Sequence, residues 1–271
     1  MGLARGLMSE EEIRAYLRHC PRMFSRIVVS GYRVDELLKK TALVCGAGGI
    51  GVVVAEILAR TGIGRIIIVD KDVVGEENFN RLGFTREDVG LPKATALKRK
   101  LLALRNAPSV PRSYWLKVED YYADILEMRD FWKLVNKSDV VFDCIDDLGA
   151  RLEVNRIAVR LGKPMFDAGT SRDGLRGTVR VVIPGQTPCL RCYFPPGSLI
   201  RAEEAFGFGC DASLATTMAI VASLQVDQAF KYLLGYGRVV PMIKVSLEDE
   251  VKVIPRYDVR RRPDCEDCGS L

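Results

Sequence analysis

With 271 residues, 48% of them hydrophobic and 28% charged, the chain has the make-up of one globular α/β domain or one with an appended subdomain. A net charge of +5, spread out apart from Arg260, Arg261 and Arg262, does not imply nucleic-acid binding, and no apolar run approaches the roughly 18 residues of a membrane span. Eight cysteines without a signal-type apolar segment point to a reducing, cytoplasmic setting and to metal binding or catalysis rather than disulfides.

Residues 1–32 read as an N-terminal helical arm, with Ser9 capping an acidic first turn and Pro21 opening a connector. This arm carries too little apolar content for a core of its own, and residues 33–271 form the main domain. The single histidine, His19, lies in the arm, so any scheme needing a histidine base inside the main fold starts without one.

The stretch from Leu43 to Asp70, LVCGAGGIGVVVAEILARTGIGRIIIVD, reads as strand, tight turn, helix and strand. Gly46, Gly48, Gly49 and Gly51 let the backbone approach a polyphosphate at a helix N-terminus, and Asp70 ends the second strand where it can accept from ribose hydroxyls. Glycine turns also serve simply to pack a helix on a strand, and the pattern does not say which nucleotide binds. The loop DKDVVGEENFNRLGF follows, with Asn78 and Arg81 placed to reach phosphates, and then Pro92 opens a basic helix that begins at Lys93.

Further on, a strand is expected over Tyr114–Val118 and a helix over about Asp124–Val135. The run VVFDCIDD reads as an apolar strand ending in Asp146 and Asp147, followed by a helix over about Ala150–Leu161. Asp146 should share a sheet edge with the glycine turn, where an acid can hold Mg²⁺ against a phosphate, and Asp147 is the better candidate to cap the next helix. After Pro164 the texture changes: GLRGTVRVVIPG reads as a strand, DASLATTMAIVASLQVDQAFKYLLG as a helix stopping at Gly235, and MIKVSL and EVKVIPRY as closing strands. Strands and helices alternating in this way predict an α/β, Rossmann-like, doubly wound and mostly parallel sheet continued by C-terminal antiparallel strands.

Two thiol pairs, Cys189-x-x-Cys192 and Cys265-x-x-Cys268, suit a closed tetrahedral and therefore structural Zn²⁺ site, against the alternatives of surface thiols or a redox pair. Cys210 stands apart. It follows a glycine-bearing loop and precedes a helix, a setting that favours the thiolate, so by itself it reads equally as buried filler or as a nucleophile.

In order along the chain, G-x-G-G-x-G, a strand-end Asp, N-x-x-R (Asn78, Arg81), G-L-x-K (Gly90–Lys93), C-x-D (Cys144, Asp146) and two C-x-x-C pairs resemble the ubiquitin-activating superfamily from about Phe24 to Cys268. The resemblance implies ATP and Mg²⁺ as cofactors, adenylation of the C-terminal glycine carboxylate of a ubiquitin-fold protein, and a homodimer. Carried over by position, Gly46 to Gly51 line the phosphates and Asp70 and Asp72 serve the nucleotide. Asn78, Arg81 and Lys93 grip the triphosphate, Asp146 holds Mg²⁺, and Arg26 reaches the partner's ATP. The segment GCDASLATTM resembles the nucleophile segment of the compact activating enzyme for ubiquitin-fold modifier, which makes Cys210 the expected thioester residue and a conjugating enzyme an expected partner. Asp147 departs from the family's usual Asn, and the three residues after Cys268 leave no room for a C-terminal domain that recruits a conjugating enzyme. The alternatives are a sulfur-carrier adenylyltransferase that stops at the adenylate and, further off, an NAD-dependent oxidoreductase.

Overall fold

The computed structural model describes residues 6–194 and 212–270, and Cys210 lies outside them. Eight strands form one sheet: β1 (Thr41–Cys45), β2 (Arg65–Asp70), β3 (Lys117–Tyr122), β4 (Val140–Asp143), β5 (Met165–Thr170), β6 (Arg176–Val182), β7 (Met242–Ser246) and β8 (Lys252–Arg256). Their order is β3-β2-β1-β4-β5-β6-β7-β8. The first five run parallel, and β5 to β8 continue the sheet in antiparallel pairs.

Nine helices accompany the sheet among the described residues: α1 (Glu10–Leu17), α2 (Ser25–Val29), α3 (Val34–Leu37), α4 (Gly49–Thr61), α5 (Lys93–Arg105), α6 (Phe131–Lys137), α7 (Leu148–Arg160), α8 (Leu190–Tyr193) and α9 (Ala215–Leu234). The period-2 alternation of strand side chains assigns the two faces. Ala42 and Val44 of β1, Ile66 and Ile68 of β2, and Phe142 of β4 point into one core with α4, α5 and α9. Leu43, Cys45, Ile67, Val69 and Val141 point into the other, with α6, α7 and the paired thiols. Because both faces are covered, these strands read as continuous apolar runs rather than alternating ones.

The helix ends follow local chemistry. Gly62 and Gly235 close α4 and α9 in the left-handed conformation, at φ 116° and 66°, where a side chain would be strained. Ser9 and Glu12 form a reciprocal cap on α1. Phe24 and Val28 of the arm are fully buried, yet they share a satellite cluster with Val34 and pack beside Tyr114. The guanidinium of the buried Arg105 lies 4.6 Å from the Phe24 ring centroid.

Several boundaries differ from the sequence-based expectations. Tyr114 belongs to a short 3₁₀ turn, and the strand expected at 114–118 starts only at Lys117. Asp124 accepts from Leu126 N–H in a turn, so the helix expected from Asp124 begins at Phe131. The strand expected to reach Asp146 stops at Asp143, because the chain leaves the sheet to enter α7, capped by Asp147. Strand β5, MFDAGT, is not anticipated by pattern: an acid and a glycine interrupt its apolar run.

Candidate active site

The C-terminal edge of the parallel strands opens into a cleft of about 920 Å³. Its lining draws Gly46, Gly48 and Gly49 from the turn after β1, Asp70 and Asp72 from the end of β2, Arg81 and Lys93 from the next segment, and Asp146 from the turn after β4. Open α/β sheets bind ligands at this edge, where the strand order reverses on either side of β1 and β4.

The glycines of the turn differ in what their surroundings demand. Gly46 takes φ 91°, and a Cβ there would fall 2.7 Å from the Cys144 carbonyl oxygen. Gly51 meets the Gly46 carbonyl so closely that a Cβ would lie 1.9 Å from its oxygen, so this residue sets how near α4 approaches β1 and does not line the cleft. Gly48 precedes α4 with open space around it, and no side chain caps that helix N-terminus.

Asp70 ties the turn together: Ala47 N–H donates to its Oδ2 at 2.6 Å and Asp72 N–H to its Oδ1 at 2.8 Å. Burial pushes this carboxyl up, while the two backbone N–H groups oppose the shift. Lys93 is nearly buried and donates from Nζ to Asp72 Oδ2 at 2.8 Å, and its own N–H donates to the Asp72 carbonyl at 2.9 Å. Asp146 is exposed at the mouth, one residue before the Asp147 carboxylate that accepts from Ala150 N–H at 2.7 Å. Asn78 is buried with its Oδ1 accepting from Gly75 N–H and does not line the cleft. Arg26 is exposed on α2 and does not line its own chain's cleft. Cys210 lies outside the described residues. Ala212, Ser213 and Met218, which follow it, do line the cleft.

Beneath the cleft lies a charge cluster that the sequence reading does not single out. Arg151 Nε donates to Asp167 Oδ1 at 3.0 Å and Arg180 Nη1 to Asp167 Oδ2 at 2.9 Å, with Asp143 Oδ2 3.9 Å from Arg151. Burial would raise Asp167, but the two guanidiniums outweigh it and hold the carboxyl below its usual range. Only part of the signal was available: the apolar run VVFD carries an acid, and a buried acid needs a cationic partner, but β5, which supplies Asp167, is not legible as a strand.

On the face of the sheet covered by α6 and α7, the Sγ atoms of Cys189, Cys192, Cys265 and Cys268 all lie within 4.8 Å of one another. The pairs Cys189–Cys265 and Cys192–Cys268 are 3.5 and 3.4 Å apart, far beyond a disulfide bond and close to the roughly 3.8 Å edge of a tetrahedron with 2.3 Å Zn–S bonds. Arg262 N–H points to Cys192 Sγ at 3.4 Å, and Asp267 joins the second knuckle to Asn155 of α7. The donor set fits a closed metal site and leaves no position for substrate.

The model of the ThiF family matches residues 21–266. "Ubiquitin-like modifier-activating enzyme 5" of Oryza sativa subsp. japonica is 34% identical over 248 residues, covering 88% of this chain and 57% of that protein. Its namesake in Dictyostelium discoideum is 31% identical over 247 residues, covering 88% of this chain and 63% of that one. The chain thus spans about three fifths of the length of these relatives. Among solved structures, E. coli MccB with ATP superposes with a TM-score of 0.75 at 25% identity, covering 93% of this chain and 75% of that one. The succinimide complex of the same protein gives a TM-score of 0.77 at 25% identity, covering 93% and 76%. A nucleotide-type cleft at the carboxyl edge of a Rossmann-like sheet, a four-thiol cluster and a family match over almost the entire length agree: the chain belongs to the ThiF family.

Proposed function

We propose that this chain uses ATP to adenylate the C-terminal glycine carboxylate of a ubiquitin-fold protein and then takes the acyl group onto Cys210 as a thioester. The observation that carries the reading is the convergence of Gly46, Gly48, Gly49, Asp70, Arg81, Lys93 and Asp146, from well-separated segments, on one cleft. The likeness to proteins called ubiquitin-like modifier-activating enzymes favours a protein substrate.

The carboxylate is already a nucleophile, so the first step needs no protein base. One of its oxygens attacks the α-phosphorus, the bond to the bridging oxygen breaks, and pyrophosphate leaves. The residues act by in-line positioning and by neutralising phosphate charge. In this reading Arg81 and Lys93 bear on the triphosphate, Asp70 and Asp72 fix the ribose side, and Asp146 holds Mg²⁺, which supplies further charge neutralisation. In the second step the Cys210 thiolate attacks the acyl carbonyl, the C–S bond forms, the C–O bond to phosphate breaks, and AMP leaves. Cys189, Cys192, Cys265 and Cys268 hold a structural Zn²⁺. Arg26 completes the cleft of a second copy in a homodimer, and a conjugating enzyme receives the thioester.

The test separates the two steps. Wild-type chain with ATP and the modifier is expected to give pyrophosphate exchange and a reductant-sensitive adduct on a gel. Cys210→Ala is expected to keep the exchange and lose the adduct. Exchange without any wild-type adduct would make the chain a sulfur-carrier-type adenylyltransferase that stops at the adenylate.

A further inference from the structure

The cleft holds six cationic side chains among the described residues, and five of them are paired with acids. Lys71 faces Asp124, Lys93 faces Asp72, Arg176 faces Asp173, and Arg151 and Arg180 share Asp167. Arg81 differs. Its Nη1 donates at 2.8 Å to the neutral hydroxyl of Ser213. That hydroxyl donates onward to Met218 Sδ at 3.4 Å, and the Ser213 carbonyl accepts from Asn80 Nδ2 at 3.1 Å. Ala212 N–H donates to the Arg172 carbonyl at 3.0 Å, so residues 212–213 are held both by the segment of Asn80 and Arg81 and by the turn after β5.

This clasp rests on the glycine turn itself. A Cβ on Gly49 would fall 2.2 Å from Met218 Sδ and 2.9 Å from Arg81 Cδ, so both side chains pack directly against the first residue of α4. That is the helix end to which polyphosphate is drawn by unpaired N–H groups and the helix dipole.

We propose that Ser213 is a positioning residue for ATP, a role that rests on the adenylation reading above: it aims the Arg81 guanidinium over the glycine turn without cancelling its charge. A long arginine side chain on a loop has many rotamers, and one directional hydrogen bond selects among them. A carboxylate would do the same but would neutralise the cation that the triphosphate needs. A hydroxyl orients it and leaves the full charge for phosphate. In the sequence, Ser213 lies three residues beyond Cys210.

The test uses the full chain with Mg²⁺ and the non-cleavable analogue α,β-methylene-ATP, measuring Kd by calorimetry. Ser213→Ala is expected to weaken binding about three- to tenfold, the range of one ordinary net hydrogen bond, because the bond orients Arg81 and does not itself touch the nucleotide. Ser213→Thr restores affinity and Ser213→Val, its isostere without the hydroxyl, does not. In an Arg81→Ala background, Ser213→Val has no further effect, since the orienting contact has nothing left to orient. Thermal melts of the Thr and Val variants control for folding. Wild-type chain that binds no analogue overturns the adenylation reading. Wild-type binding with equal Thr and Val variants, or with effects that multiply independently of Arg81, overturns the role of Ser213 and leaves that reading standing.

Discussion

Asp143 sits fully buried at the end of β4, with Oδ1 accepting from Ile145 N–H and Oδ2 lacking a hydrogen-bond partner. Burial pushes its carboxyl up to about 7; Arg151 opposes that push and Asp167 adds to it. Against an ordinary value of 3.8, the folded chain therefore keeps a proton between roughly pH 4 and 7 that the unfolded chain has lost. Stability attributable to this group accordingly falls as pH rises through that window, by at most about 1.4 kcal/mol per pH unit, and levels off once both states are ionised. Asp167, held low by Arg151 and Arg180, works with the opposite sign and loses its contribution only as pH falls below the ordinary carboxylate range. Asp143→Asn is expected to flatten the decline between pH 5 and 7 while leaving the acid limb in place. Urea unfolding at pH 5, 6, 7 and 8 reads this directly, and parallel wild-type and variant curves would contradict it. Such an acid is hard to assign from sequence, because Asp143 and Asp146 stand three residues apart on one strand-like run. Only the fold reveals that the chain turns between them, one side chain facing the core and the other the cleft mouth.

At the scale of elements, the unit that positions the site is β1, its glycine turn and α4. Sequence pattern suffices to identify it, because glycine spacing and flanking apolar runs are local properties. What pattern does not assign is the division of labour among the glycines: Gly51 governs helix–strand approach, Gly46 the turn, and Gly49 the seat of Met218. A methyl group on Gly51 would meet backbone, which cannot rotate aside. Gly51→Ala is therefore expected to destabilise the fold by about 3 kcal/mol or more, at the upper end for overpacking. Chemical unfolding measures it, and a loss under about 1 kcal/mol would show that α4 shifts easily. Helix α9 offers the converse lesson. Its period and its Gly235 stop are legible in sequence, yet the buried Gln225 is not apolar, and its Nε2 donates to the Asp143 and Phe166 carbonyls at 3.1 and 2.6 Å. That amide fastens α9 to the end of β4 and the start of β5, a long-range bond that no local periodicity encodes.

For the whole molecule, the two thiol knuckles join parts of the chain 76 residues apart and tie the C-terminal segment to α7. Structural metal sites contribute directly to folding. Cys265→Ser is expected to lose stoichiometric zinc and to lower the melting temperature, with elemental analysis and a thermal melt as the measurements. Zinc retained at one per chain would refute the assignment. The N-terminal arm presents the other whole-molecule question. Phe24 and Val28 anchor it under Arg105, while Arg26 between them stays exposed and outside its own cleft. That geometry suits a residue that serves a second copy. In a mixed dimer, Arg26→Ala chains combined with Asp146→Ala chains are expected to recover part of the pyrophosphate exchange that each variant loses by itself. No recovery in a demonstrably mixed dimer would argue against sharing.

The sequence by itself determined the fold class, the nucleotide-type cleft and the two thiol pairs that meet in one cluster, since each rests on short-range spacing of residues with restricted chemistry. It also marked Asp147 as the helix cap, a contact made within three residues. The tertiary structure decided where β5 lies, which of the acids in the run VVFDCIDD is buried, and that Asn78 turns away from the cleft. It also brought Ser213 onto Arg81, 132 residues apart in the chain. Those features depend on partners supplied from distant segments. A buried acid is settled by the arginine that the fold brings to it, and a serine in a helix-start run gains its role only when the sheet sets it against the glycine turn.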